Sequence, residues 1–224
     1  MKRLTMILTG AALAASPALA QRIQTRGPSG PEPAPTAESV RANFAYGSCL
    51  LRTNRTTPRI LALVPNTPEE QRSAFGVVML TTSSCEGSGR RAPTSRIALR
   101  GMIAELLLER DFDVASGRRL DSPVRRFDMP TVAGAQRLPA DAQASLTMIV
   151  IAECAVRADR AGAARLFATN PVTPEERAAF SALVPAIGGC IPQGANLSIQ
   201  PRQMRGYLAE GAYRVLAAGQ PGQD

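Results

Sequence analysis

The sequence predicts an all-α protein built from two tandem, homologous helical units of about four helices each, with one disulfide closing each unit and the pair packed about a pseudo-twofold axis. Three observations predict it. Four cysteines stand in two equally spaced pairs, Cys49 with Cys85 and Cys154 with Cys190. Displacing the chain by 105 residues lays the first pair on the second, and with it Phe75 on Phe180, Arg100-Gly101 on Arg205-Gly206, and Ala104-Glu105 on Ala209-Glu210. Apolar residues in the best-conditioned segments recur at helical rather than alternating spacing.

The match between the copies is specific because unlike residue types recur in one order. Thr67-Pro68-Glu69-Glu70 falls on Thr173-Pro174-Glu175-Glu176, and Pro65 on Pro171, after a one-residue slip that is expected to close before the phenylalanines. Four cysteines allow three connectivities. A unit that once stood alone closes its own bridge, which selects Cys49–Cys85 and Cys154–Cys190. In the chain-entropy model each such loop adds roughly 3–4 kcal/mol, a large contribution for units whose own cores are small.

In chain order, the first helix of each unit covers Asn43-Phe44-Ala45-Tyr46 and Met148-Ile149-Val150-Ile151. The second of these segments has strand-like composition, and its partner in the first copy does not, so both read as helix. A short helix follows around Pro58 to Val64 and around Gly162 to Ala168. The Thr-Pro-Glu-Glu element opens the third, with threonine as N-cap, proline at the first helical position and glutamate at the third. Behind it Phe75, Val78 and Met79 share a face, as do Phe180, Leu183 and Val184. The fourth helix carries Leu99, Met102, Ile103, Leu106 and Leu107 in one copy. In the other it carries Met204, Tyr207, Leu208, Gly211, Ala212 and Val215.

Domain boundaries follow from these units. Residues 1–20 have the pattern of a secretory leader: Lys2 and Arg3, an apolar stretch from Leu4 to Ala15, and Ala18-Leu19-Ala20 before a cleavage that leaves Gln21 first. Residues 21–37 form a Pro/Gly-rich tether, 38–110 the first unit, 111–141 a charged connector without a repeat partner, 142–218 the second unit, and 219–224 a tail. The expected location is the periplasm or the exterior, with no transmembrane anchor in the mature chain.

Composition excludes several functions. The 224 residues contain no histidine, which removes the usual general base near neutral pH, the His-activated nucleophiles and the commonest metal ligand. No Cys-x-x-C, phosphate-binding Gly loop or cofactor fingerprint occurs, so neither cofactor nor metal is expected. Loss of Lys2 and Arg3 leaves 24 arginines against 18 carboxylates, a net charge of +6. Spread along the whole chain, this charge reads as a solvated surface rather than a patch. Nucleic acid is not an expected partner of an exported protein; an envelope protein or an anionic glycan is.

The ordered elements Cys, Thr-Pro-Glu-Glu, Cys and Leu/Met-Arg-Gly-x-Leu/Ile-Ala-Glu resemble a repeat of exported bacterial proteins. The resemblance covers both units but not the connector, and it implies no activity, cofactor or site residue.

The candidate site is the duplicated Arg-Gly-x-x-Ala-Glu element: Arg100, Glu105, Arg205 and Glu210. Arginine and glutamate five residues apart lie about 140° apart on a helix, so each must reach a different neighbour. One reading is structural: glycine admits another helix, for instance the cystine-bearing one, while Arg and Glu hold loop carbonyls. The other gathers the four side chains into a groove for an anionic or glycan ligand. Glu105 and Glu210 then also form the best acid–base pair for glycoside hydrolysis. The structural reading is preferred, because duplicated scaffolds repeat their packing residues first. Glu69-Glu70 and Glu175-Glu176 are accounted for by capping and the helix dipole. Asp111 and Asp113 lack the spacing of a calcium loop, and Arg118, Arg119, Arg125 and Arg126 read as linker charge. Tyr46, Tyr207 and Tyr213 are too scattered for a stacking platform, and Gly188-Gly189 read as a turn into Cys190. The function expected is a non-enzymatic binding or scaffold module of the cell envelope; the alternative is an envelope-glycan hydrolase using Glu105 and Glu210.

Overall fold

The computed structural model describes residues 36–85, 95–120, 137–193 and 201–218. The expected leader, most of the expected tether, residues 121–136 of the connector and the tail lie outside the described residues. Those described form seven α-helices, one 3₁₀ helix and a minimal hairpin. The first unit comprises α1 (Ala37–Thr53), the 3₁₀ helix (Thr57–Ala62), α2 (Pro68–Cys85) and α3 (Arg96–Asp111). The hairpin strands β1 (Phe112–Asp113) and β2 (Arg118–Arg119) follow, and then α4 (Ala140–Ala158), α5 (Arg160–Phe167), α6 (Pro174–Gly189) and α7 (Pro201–Ala218). Each unit is closed by its own disulfide, Cys49–Cys85 joining α1 to α2 and Cys154–Cys190 joining α4 to the end of α6.

Local chemistry accounts for the element starts. Thr36 caps α1 by accepting from Ser39 N, and Ser95 caps α3 by accepting from Ala98 N. Thr67 and Thr173 both cap through Oγ1, accepting from Glu70 N and Glu176 N at 3.3 and 3.2 Å. The residue before each of these caps is left-handed, Asn66 at φ 59° and Val172 at φ 66°. Asn66 suits that conformation and donates its side-chain amide to Ser145 Oγ at 2.8 Å, tying the first unit to α4. The β-branched Val172 holds it at a cost of about 1–2 kcal/mol. Met148 to Ile151 lie inside α4, as expected. Their β-branched bias is a few tenths of a kcal/mol per residue, and burial of Ser145, Ile149, Ala152 and Val156 along one face outweighs it.

Four expectations need correction. The first concerns the buried face of α2, which is Glu70, Ala74 and Val77; Phe75 and Met79 are exposed, at 65% and 57%. On α6 the inward positions are Glu176, Phe180, Leu183 and Ile187. The one-residue slip at the caps therefore persists past the phenylalanines, setting Phe180 against Ala74, and closes only before the cystines. Cap and packing set the helix phase, and an aromatic residue off that phase points outward. Second, the connector holds regular structure at its ends: α3 runs through Asp111, α4 begins at Ala140, and Phe112 and Asp113 pair with Arg119 and Arg118. Asp113 builds the turn between them, accepting from Ala115 N and Ser116 Oγ, and Gly117 takes the left-handed position at φ 73°. Third, Gly188 and Gly189 belong to the last turn of α6 instead of forming a separate turn.

The fourth correction concerns the duplicated glycine, which meets its own counterpart and not a cystine-bearing helix. The two units join where α3 crosses α7, the most extensive contact in the molecule together with α4 on α7. A Cβ on Gly101 would overlap Gly206 Cα and lie 3.1 Å from its carbonyl carbon, so the two backbones touch. Around this crossing α7 is buried on nearly every face. The copies differ in how their first helix meets their last. Gly47 on α1 receives the side chains of Met102 and Leu106, whereas Gly211, in the place of Leu106, lets α7 approach the backbone of Ala152 and Glu153 on α4. Volume removed from one helix is supplied by the other.

The crossing yields an asymmetric prediction. Gly101→Ala forces backbone against backbone and is expected to destabilise by about 3 kcal/mol. Gly206→Ala places its Cβ 3.3 Å from Gly101 Cα, and about 1 kcal/mol of helix propensity offsets the crowding, so its stability is expected to stay near wild type. Urea unfolding of both variants with disulfides intact checks this; equal losses would refute the geometry.

Candidate functional site

Every member of the duplicated Arg-Gly-x-x-Ala-Glu element lies at this crossing. With glycines in contact, the arginine before each glycine and the glutamate four residues after it reach across to the other helix. Arg100 on α3 meets Glu210 on α7 through Nε at 3.1 Å and Nη2 at 2.5 Å. Arg205 on α7 meets Glu105 on α3 through the same two atoms at the same distances. Both pairs are bidentate, which the planar guanidinium fork favours. Residue i meets j' and j meets i', the signature of an isologous twofold contact.

Each arginine also holds the segment before the third helix of its unit, Arg100 the 3₁₀ helix and Arg205 the loop after α5. Arg100 donates from Nη1 to Ile60 O at 2.5 Å and from Nη2 to Leu61 O at 3.4 Å. Arg205 donates from Nη2 to Thr169 O at 3.0 Å and from Nη1 to Thr169 Oγ1 at 3.2 Å. A second carboxylate completes each set: Glu70 Oε1 lies 3.9 Å from Arg100 Nη1, and Glu176 Oε1 accepts from Arg205 Nη1 at 3.0 Å. Capping and the helix dipole account for only part of what these two glutamates do, and their presence in both copies of Thr-Pro-Glu-Glu is the signal in the sequence that points to more. A single side chain does both tasks in the second unit, where Glu176 Oε2 also accepts from Val172 N at 2.6 Å.

The charges are interior. Arg100, Glu70 and Glu210 are buried, Arg205 is 5% exposed, and the Glu105 side chain retains 13%. Burial raises the carboxyl pKa of Glu105 above its ordinary value, Arg205 opposes this, and Glu176 and Glu109 add to it. Burial also raises Glu70, with Arg100, Arg96 and the Asn66 N–H offsetting only part of the effect. For Arg205 burial acts downward, and pairing with Glu105 and Glu176 outweighs it, so its pKa is raised. The units are not equal in charge. Arg96 Nε supports Glu70 at 3.4 Å, while the corresponding place in the second unit is Pro201; Arg205 faces two carboxylates, Glu105 and Glu176.

This arrangement positions helices and leaves little for a ligand. The indentation lined by Pro65, Ile97, Arg100, Gly206, Tyr207 and Glu210 has no interior volume for a water molecule. The other sequence candidates are also engaged. Asp111 is buried, accepts from Arg110 Nε at 2.6 Å and Nη2 at 2.9 Å, and receives the Tyr213 hydroxyl at 3.3 Å. Asp113 is used in its turn. Tyr46, Tyr207 and Tyr213 are core residues; burial raises the Tyr207 phenol, whose oxygen lies 3.2 Å from Ser145 Oγ. Arg118 and Arg119 lie on β2, and Arg125 and Arg126 fall outside the described residues. Among the described residues no group of three or more acidic or cysteine side chains is placed to hold a metal ion, and no helix is long and apolar enough to cross a membrane. Comparison with family models, curated proteins and solved structures finds no match to this chain.

Two measurements probe the cluster. Arg100→Met leaves Glu210 buried without its partner and is expected to cost about 3–5 kcal/mol, most of it recovered in Arg100→Met/Glu210→Leu. Denaturant unfolding of the two variants checks this, and a double variant as unstable as the single one would contradict it. The second measurement uses pH. A carboxyl raised in the folded state contributes stability that is full below its unfolded pKa, about 4.3, and is lost as pH rises through the folded value. Glu70→Gln removes that loss. Its stability relative to wild type is therefore expected to increase from pH 4 to pH 7, read from paired urea titrations; a flat or falling difference would exclude the effect.

Proposed function

We propose that the protein is a non-enzymatic scaffold or binding module of the cell envelope, exported and cleaved after Ala20. The observation that supports this reading is the reciprocal pairing of Arg100 with Glu210 and of Arg205 with Glu105. The side chains best suited by type to bind an anion or cleave a glycan are turned inward, and each is occupied by its symmetry mate. A general acid and a nucleophile need a substrate oxygen within hydrogen-bond reach, and paired glutamates at a closed helix crossing do not offer one. Two disulfides in a chain without a membrane-spanning helix among its described residues agree with an oxidising compartment. The interaction surface of such a module lies on its exterior, with an envelope protein or anionic glycan as the partner class.

The alternative, glycan hydrolysis by Glu105 and Glu210, makes an opposite prediction about two variants. Purified mature protein is expected to release no reducing ends from cell-wall glycan, and Glu105→Gln and Glu210→Gln are expected to lower the unfolding midpoint. Reducing-end release by the wild type that disappears in both folded variants would overturn the scaffold reading.

A further inference from the structure

The two disulfides have the same span and nearly the same Cα separation, 5.7 and 5.8 Å, but their surroundings differ. Cys49 and Cys85 are buried, at 6% and 0% exposure. Thr53 Oγ1, one turn beyond Cys49 on α1, lies 3.6 Å from Cys49 Sγ and 3.7 Å from Cys85 Sγ and covers the bridge. Cys154 is exposed and Cys190 half-buried. Thr53 is itself exposed, and its place is taken in the second unit by Ala158, which brings no hydroxyl.

The helix that presents Cys190 is also weakly held. Pro185 stands inside α6, has no N–H for Ser181 O and crowds the preceding turn. Gly188 and Gly189 follow, and a Cβ on either would meet nothing within 4 Å. Glycine lowers helix stability, and the open space around these two leaves room for another chain to approach. Cys190 caps this end through bonds to Ile187 O and Gly188 O. Between Pro185 and the cystine only Ile187 is fully buried. In the first unit the corresponding stretch of α2, ending Thr81-Thr82-Ser83-Ser84-Cys85, contains neither proline nor glycine.

We propose that Cys154–Cys190 is a thiol–disulfide exchange site whose partner is a dithiol, and that its reduction frees the end of α6 while the first unit stays closed. A thiolate of the dithiol attacks Cys154 Sγ. A sulfur–sulfur bond forms to Cys154, and the Cys154–Cys190 bond breaks with its electron pair leaving on Cys190. The second thiolate then attacks the dithiol's own sulfur in the mixed disulfide and expels Cys154. The dithiol is oxidised to a disulfide, and its two protons end on Cys154 and Cys190. The buried bridge undergoes the same chemistry only after the structure around Thr53 opens.

The test uses the mature, oxidised chain with dithiothreitol as the dithiol, alkylation of released thiols at timed intervals and peptide mass analysis. Circular dichroism is recorded in parallel. Cys154 and Cys190 are expected to label at least about tenfold faster than Cys49 and Cys85, with helix content retained. A smaller ratio, the reverse order, or labelling of Cys154 and Cys190 only as helix signal is lost would overturn the assignment. Amide exchange on the singly reduced form is expected to increase over residues 186–191 and not in α3 or α7. An increase spread through α3 and α7, or none at all, would overturn the release of α6.

Discussion

The contact between Gly101 and Gly206 sets the distance between the two halves, and the polar centre of the molecule depends on that distance. The missing Cβ at Gly101 lets the two helix backbones touch. Once they do, Arg100 and Glu210, and likewise Arg205 and Glu105, come within bidentate reach. A side chain at Gly101 would separate the helices and leave four charged groups in an apolar interior. The cluster is therefore a consequence of close packing, and it explains why arginine, glycine and glutamate recur together.

Buried ion pairs of this kind seldom add stability over a well-packed apolar core. What they supply here is registry. Each guanidinium is bonded to a carboxylate on the other helix and to its own unit, Arg100 to carbonyls of the 3₁₀ helix and Arg205 to Thr169, so a sliding or rotated crossing would leave several buried groups without partners. The symmetry is incomplete where the charges differ. Arg96 supports Glu70 in the first unit, and Pro201 stands in its place in the second. A similar departure from symmetry governs the disulfides, one covered by Thr53 and the other left open beside Ala158. The residues of the crossing recur in both units, whereas other core positions differ, Ala74 against Phe180 and Leu106 against Gly211.

Much of this was legible from residues. The repeat offset identified both disulfides, the caps at Thr67 and Thr173, and the final helices that form the crossing. The geometry of five-residue separation implied that Arg100 and Glu105 serve different neighbours. Other features were not legible. Periodicity placed Phe75, Val78 and Met79 on one face, but a helix with apolar residues on several sides admits more than one phase, and cap and core chose Ala74 and Val77. The roles of Glu70 and Glu176 were hidden because capping already explained them.

The sequence by itself determined the fold class, the two-unit plan and the disulfide pairing, because these rest on chain-local facts: periodicity, capping chemistry and the spacing of like residues. The tertiary structure decided which neighbour each charged side chain meets. A helix states only the direction in which Arg100 or Glu210 points. Whether that direction ends in water, a ligand or the opposite helix depends on the separation at Gly101 and Gly206, which is a property of two distant segments brought together.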